Sequence, residues 1–364
     1  MMLIAEEVEN AKNAEREPID ASIYNELFSF AASDNEILKK ESLKIILGLL
    51  DETDLIAYIL QNSKKCFKII ISSLNSQCKM VALECLLNLS AQIPTELIER
   101  NIVEILFDMI KDEEKIEENY IDMYIMIISN ITRCKEGIYK ILDINEEGQI
   151  YHNTFSVSYY LNKLLFFYFQ PITPSINKNM SDKYMHVSHI LINISSIKES
   201  MPFFKNVAFL NKLSEQILIL ERCRTFLPFI MNLSLHKDIH DFIFQSDCNM
   251  FPYLLSYVYT PNTPIDDKKS LNGVTTKPYK SIHKVIVKKS TSLVRCSVIK
   301  NRILVILLHL SRNNDTREKI KKFGVVALLN NWKANEKAPD IISEIKSTLN
   351  KFEDVKEEPL EPEK

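Results

Sequence analysis

Three groups of residues in this 364-residue chain have types and spacings that could do chemistry. The first is His236 and His240, an i,i+4 pair with Asp238, Asp241 and Cys248 nearby. On a helix such a pair can turn two imidazoles toward one metal ion. No second ligand pair accompanies it, so no metal site is expected. The second group is basic. Between Lys268 and Asn314 there are lysines and arginines but no acidic residue. Lys277, Lys280, Lys284, Lys288, Lys289, Arg295, Lys300 and Arg302 make a patch that could attract phosphates or an acidic protein segment. It lacks the regular aromatic residues on which bases stack, and a solvated loop and helix face is the plainer reading. The third group is a set of amides, Asn88, Asn130, Asn193 and Asn232, with Arg133 and His309 at related positions. An amide both donates and accepts, so such a row could bind the main chain of an extended peptide. It could equally bond the backbone of its own helix end.

Catalytic signatures are missing from the sequence. There is no Gly-rich phosphate loop, no GxSxG elbow and no HExxH pair. Glycine is rare, at 5 residues, which disfavours folds whose ligand loops depend on it and suits closely packed helices. The expectation is a non-enzymatic chain with no cofactor. The 7 cysteines form no CxxC pair, and their odd number and loose spacing suggest a reducing compartment. A net charge of −3 gives no overall field for nucleic acid. The start, MMLIAEEVEN, has acids where a secretory signal needs a long apolar region. No apolar run approaches the roughly 18 residues of a membrane span. A monomer in the cytoplasm, with the nucleus as a second compartment, is expected.

The amides mark a repeat. VALECLLNLS from Val81 recurs as MYIMIISNIT from Met123, VSHILINIS from Val187 and FLPFIMNLS from Phe226. ILVILLHLS from Ile303 carries His309 at the Asn position, and SLKIILGLL from Ser42 carries Gly48. Neighbouring markers stand about 40 residues apart where nothing intervenes, the period of an armadillo or HEAT unit. At roughly 100° per residue, positions −3, −2 and +1 from the marker share one helix face. They are apolar in the five later copies: Cys85, Leu86 and Leu89, for example, or Phe229, Ile230 and Leu233. The marker then sits at the edge of a buried stripe, beside the polar face. One such unit cannot stand alone. Ordering it costs about 1.5 kcal/mol per residue, on the order of 60 kcal/mol in all, which only burial against its neighbours can offset.

The expected fold is therefore all-α, an armadillo/HEAT-like right-handed helical solenoid over residues 21–352. Loop insertions are expected at about 143–180 and 259–290, a flexible lead-in at 1–20, and a disordered acidic tail at 353–364. Thr225 is expected to cap the helix of the fourth copy, with Pro228 in its first turn. The aromatic cluster from Tyr159 to Phe169 is read as core, or alternatively as a client pocket. Each Asn copy also spells N-x-[S/T], a glycosylation acceptor. That match is read as spurious, since these sites end apolar helices in a chain without a recognised signal.

Parts of the chain resemble a known family. Met123 to Leu142, MYIMIISNITRCKEGIYKIL, looks like the "SNLTR" repeat of the Hgh-type armadillo proteins. Tyr184 to Phe204 and Thr225 to Tyr257 are similar to that family's following repeats. Val294 to Glu336 resembles its closing unit, with Thr316 and Arg317 matching a "TR" turn, although its Arg-Glu-Leu-His segment is missing. The resemblance implies a chaperone or adaptor that binds translation elongation factor two and helps it fold with cytosolic chaperone systems. It brings no catalytic residues. It leaves as alternatives a nucleotide-exchange factor of armadillo type, a general interaction scaffold, and an RNA- or ribosome-binding protein using residues 268–312.

Overall fold

The computed structural model describes residues 21–111, 118–145, 158–172, 182–258 and 294–352. It divides into two compact units, residues 1–134 and 135–364. The expected lead-in, most of both insertions and the acidic tail lie outside the described residues. Every extended element described is a helix, and none is long and apolar enough to cross a membrane.

In the first unit, α1 (Ala21–Ala31), α2 (Glu36–Leu49), α3 (Thr53–Gln61), α4 (Ser63–Ser73), α5 (Lys79–Gln92), α6 (Pro94–Glu99), α7 (Ile102–Ile110) and α8 (Glu118–Ile131) follow in order. The marker helices α2, α5 and α8 stack in sequence. The first pair is parallel. Cys78, before α5, meets Glu36 at the start of α2, while Gln92 Nε2 donates to the Leu50 carbonyl just past its end, at 2.8 Å. The stripe read from the sequence is the contact surface: Cys85, Leu86, Leu89, Ile127, Ile128 and Ile131 are fully buried. Burying each aliphatic side chain contributes about 1.5–3 kcal/mol. Local signals fix the ends. Asn35 caps α2 by accepting from the amides of Ile37 and Leu38. The stretch from Pro94 to Ile110 holds two helices. Asn101 adopts a left-handed conformation, φ 56°, which ends one helix and turns the chain into the next.

The second unit holds α9 (Lys135–Leu142), α10 (Tyr159–Tyr168), α11 (His186–Ser195), α12 (Met201–Phe204), α13 (Val207–Ser214), α14 (Leu220–Leu235), α15 (Lys237–Ile243), α16 (Met250–Leu255), α17 (Ser297–Ser311), α18 (Asn314–Lys322), α19 (Val325–Asn335) and α20 (Pro339–Asn350). Its marker helices α11, α14 and α17 stack in turn, and α20 covers α17. The aromatic cluster is divided: Phe167 and Tyr168 are core, whereas Tyr159 and Phe166 are exposed.

Two features of α14 differ from expectation, with one cause. The helix begins at Leu220, not Thr225, because Arg222 is drawn fully into the interior. There its guanidinium pairs with Asp182 through both carboxylate oxygens, at 2.7 and 2.9 Å. It also donates to Gln216 Oε1 at 2.7 Å, to the Gln170 carbonyl at 3.2 Å and to the Tyr168 carbonyl. Its carbon lies 4.5 Å from the centre of the Tyr168 ring. Every guanidinium N–H is thereby satisfied, the condition for burying such a group. The earlier start places Pro228 inside the helix. Proline lacks the N–H that would bond the carbonyl four residues back. That carbonyl, of Arg224, instead accepts from Arg302 Nη1 of α17.

Removing one partner of a buried pair leaves an uncompensated charge. Arg222→Leu is expected to lower unfolding free energy by about 3–5 kcal/mol, measured by urea denaturation. Arg222→Leu combined with Asp182→Leu should recover part of that loss. A single-variant effect below about 1 kcal/mol would contradict this role.

Candidate protein-binding site

Within each unit the amide positions fall on the same edge of successive marker helices, and their hydrogen bonds run between repeats. Asn130 Nδ2 of α8 donates to Ser90 Oγ at 3.0 Å and approaches the Leu87 carbonyl at 3.4 Å, both on α5. In the second unit, Asn232 Nδ2 of α14 donates to the Ile192 carbonyl at 2.9 Å and to Ser195 Oγ at 3.2 Å, both on α11. The contact is the same each time: marker amide to the preceding helix's −1 carbonyl and +2 hydroxyl. That hydroxyl also has a fixed job. Ser90, Thr132, Ser195, Ser234 and Ser311 each donate to the carbonyl three residues back, at 2.6–2.9 Å. With its proton so engaged, the serine oxygen is an acceptor for the next repeat. The N-x-[S/T] pattern therefore has a structural origin in this chain: Asn and Ser or Thr are the two sides of an inter-helix ladder.

His309 takes the amide's part in the last copy. Its Nδ1 lies 3.0 Å from Ser234 Oγ. Because the Ser234 proton goes to the Met231 carbonyl at 2.6 Å, Nδ1–H is the donor here. A serine beside a histidine invites comparison with a nucleophile and its base. Ser234 is buried and its proton is turned away from the imidazole, so the pair has the wrong hydrogen-bond sense for that chemistry.

Asn88 stands outside this ladder. The first copy has Gly48 at the marker and Leu50 where the others have a hydroxyl, so no hydroxyl acceptor is offered. Asn88 is exposed and makes no side-chain hydrogen bond among the described residues. A Cβ at Gly48 would meet nothing within 4 Å, which leaves open space at that position. Arg133 is exposed just beyond α8, and Asn193 is half-buried. Asn130 and Asn232 keep the amide carbonyl oxygen beyond the ladder bonds, so each can still accept from a ligand.

The basic patch is divided. Lys277, Lys280, Lys284, Lys288 and Lys289 lie outside the described residues. Arg295 is exposed. Lys300 is buried in an ion pair with Glu336 at 2.6 Å. There, hydrogen bonds from Lys300 and Trp332 outweigh burial and hold the Glu336 carboxyl down at about 2. Arg302 serves the carbonyl released by Pro228, and burial lowers its pKa. Neither of these last two presents a free charge.

No group of three or more metal-ligating side chains occurs among the described residues. His240 is buried, with Nε2 2.9 Å from the Ser234 carbonyl and Nδ1 3.1 Å from Thr316 Oγ1. Both nitrogens are engaged, so it could not ligate without breaking these bonds. Thr316 and Arg317 sit inside α18 and not in a turn. Arg317 Nε donates to the Ser311 carbonyl at 2.9 Å. The described cysteines are all free. Burial pushes the Cys66 and Cys85 thiols up to about 12 and Cys248 to about 11, so they carry little thiolate.

One protein family matches the chain, over residues 113–272; it is described as a domain of unknown function, DUF383. No curated protein sequence matches. Solved structures do. A computationally designed armadillo repeat protein for modular peptide recognition aligns with a TM-score of 0.52 at 14% identity, over 78% of this chain and 98% of its own. A designed armadillo repeat protein in complex with the peptide (KR)4 aligns equally well over the same shares. An engineered protein aligns at 0.51 and 15% identity over 90% of this chain and 77% of its own. The fold is an all-α, armadillo-like helical solenoid.

The ladder predicts unequal effects within the amide row. Asn232→Ala and Asn130→Ala should each lower stability by about 0.5–1.5 kcal/mol, the net worth of a hydrogen bond. Asn88→Ala should change it by less than about 0.5 kcal/mol. Equal effects in urea denaturation would contradict the assignment. Histidines set a pH dependence. Burial lowers the pKa of His189, His240 and His309 in the folded chain. The unfolded chain therefore binds more protons below about pH 6.5, and stability falls as pH drops through that value. His240→Gln should be less stable at pH 7.5 yet lose less between pH 7.5 and 5.5; an unaltered slope would count against the buried neutral imidazole.

Proposed function

We propose that this chain is a non-enzymatic adaptor that binds translation elongation factor two and assists its folding together with cytosolic chaperones, in the cytoplasm. The observation that carries the reading is the segment ending Ser129, Asn130, Ile131, Thr132 and Arg133. It belongs to the stretch that looks like the "SNLTR" repeat of the Hgh-type proteins, and it forms the end of a marker helix whose edge meets solvent at Arg133. The fold supports a binding role, since stacked repeats present a periodic surface on which an extended segment can be held at several points at once. Two of the structurally similar designed proteins are described as recognising or holding a peptide. The proposed contact residues are Asn88, Asn130 and Arg133 in the first unit, and Asn193, Asn232 and His309 in the second. Among them Asn88 and Arg133 are the members most open to a partner. The RNA reading has less support, because Lys300 and Arg302 are engaged inside the fold.

Affinity capture with the full chain from cell extract tests the proposal. Elongation factor two is expected among the leading partners. Asn88→Ala with Arg133→Ala should reduce its recovery several-fold while the melting temperature stays unchanged. Absence of elongation factor two would overturn the client assignment, and undiminished recovery by the double variant would overturn the surface.

A further inference from the structure

A cavity of about 580 Å³ opens in the second unit where α14 passes into α15 and α17 into α18. Its floor is closed to ligands. Ser234, His240 and Asn313 line it, and each is engaged: Ser234 with His309, His240 with Thr316, and Asn313 as the cap of α18. Its rim is different in kind. Lys237 and Arg312 are both exposed, and neither has a hydrogen bond or ion pair among the described residues. Nearby cations are paired: Lys205 with Asp238 and Lys319 with Asp241. Beside the unpaired cations stand Leu235, 53% exposed, and the exposed Asn314 and Asp315.

We propose that this cavity binds an acidic, extended peptide segment that carries an apolar residue next to its carboxylates. Lys237 and Arg312 receive the carboxylates. Leu235 covers the apolar residue, and Asn314 and Asp315 meet main-chain groups, the carboxylate accepting from a peptide N–H. A nucleic acid fits less well. No Phe, Tyr or Trp side chain lines the cavity for a base to stack on. The inference rests on the reading of the chain as a protein-binding module and not on which client it serves.

The test uses the full chain and fluorescein-labelled probes: a decapeptide alternating Glu and Leu, its Gln–Leu counterpart, and a single-stranded DNA decamer. Fluorescence anisotropy at moderate salt is expected to show the Glu–Leu peptide binding at least about tenfold more tightly than the Gln–Leu peptide, with affinity falling as salt rises. Lys237→Glu with Arg312→Glu should weaken the Glu–Leu peptide by about tenfold or more. Lys198→Glu, an exposed control in the same unit, should stay within about twofold of wild type. Equal affinity for the two peptides, or no loss in the double charge reversal, would overturn the proposal. So would tighter binding of the DNA that depends on the same two residues. The elongation-factor reading fails separately: the Glu–Leu peptide would then bind as described while no elongation factor two is captured. If capture persists and the peptide does not bind, only the cavity proposal falls.

Discussion

An apolar stripe that its own repeat cannot cover is the constraint on which this structure depends. Each marker helix after the first carries side chains at −3, −2 and +1 that are fully or almost fully buried, and the neighbouring marker helix in the unit does the burying. Apolar contact is non-directional and does not fix how far one helix slides along another. The ladder at the stripe's edge supplies that direction. An amide or imidazole N–H must find one hydroxyl oxygen and one carbonyl on the preceding helix, and a shift by a residue would leave half-buried groups unpaired.

The same logic explains where the pattern breaks. The first copy has Gly48 and Leu50 and offers no hydroxyl, and the following Asn88 is exposed to solvent. In the last copy a histidine replaces the amide without loss of the bond, because Nδ1–H stands where the amide N–H would. In α14 the buried Arg222 extends the helix backwards, and the extension traps Pro228 in its interior. Arg302 repairs the resulting gap from the neighbouring helix. A residue read as part of a basic surface is thus a backbone partner.

Much of this was legible in the sequence. The period near 40 residues, the buried stripe and the edge position of the markers followed from helical spacing alone. The ladder itself was not read, although its signal was present: every Asn copy, and the His309 copy as well, has Ser or Thr two residues on. N-x-[S/T] spells that signal, but a hydroxyl's role depends on which helix lies against it. Arg222 was illegible for the same reason. Its partners Asp182, Gln216, Tyr168 and Gln170 converge only in three dimensions. Lys300 and Arg302 looked like surface charge because composition cannot distinguish an exposed cation from one buried against a carboxylate or a carbonyl. Function is less legible still, since an interaction surface carries no motif comparable to a catalytic one.

The central claim is that the marker amides join repeats first and can serve a ligand only with what remains. A double-mutant cycle on Asn232→Ala and Ser195→Ala tests it most directly, with unfolding free energies measured for the wild type, both single variants and the pair. The account predicts a favourable coupling of about 0.5–1.5 kcal/mol between the two side chains. Additive effects, with no coupling between them, would contradict it.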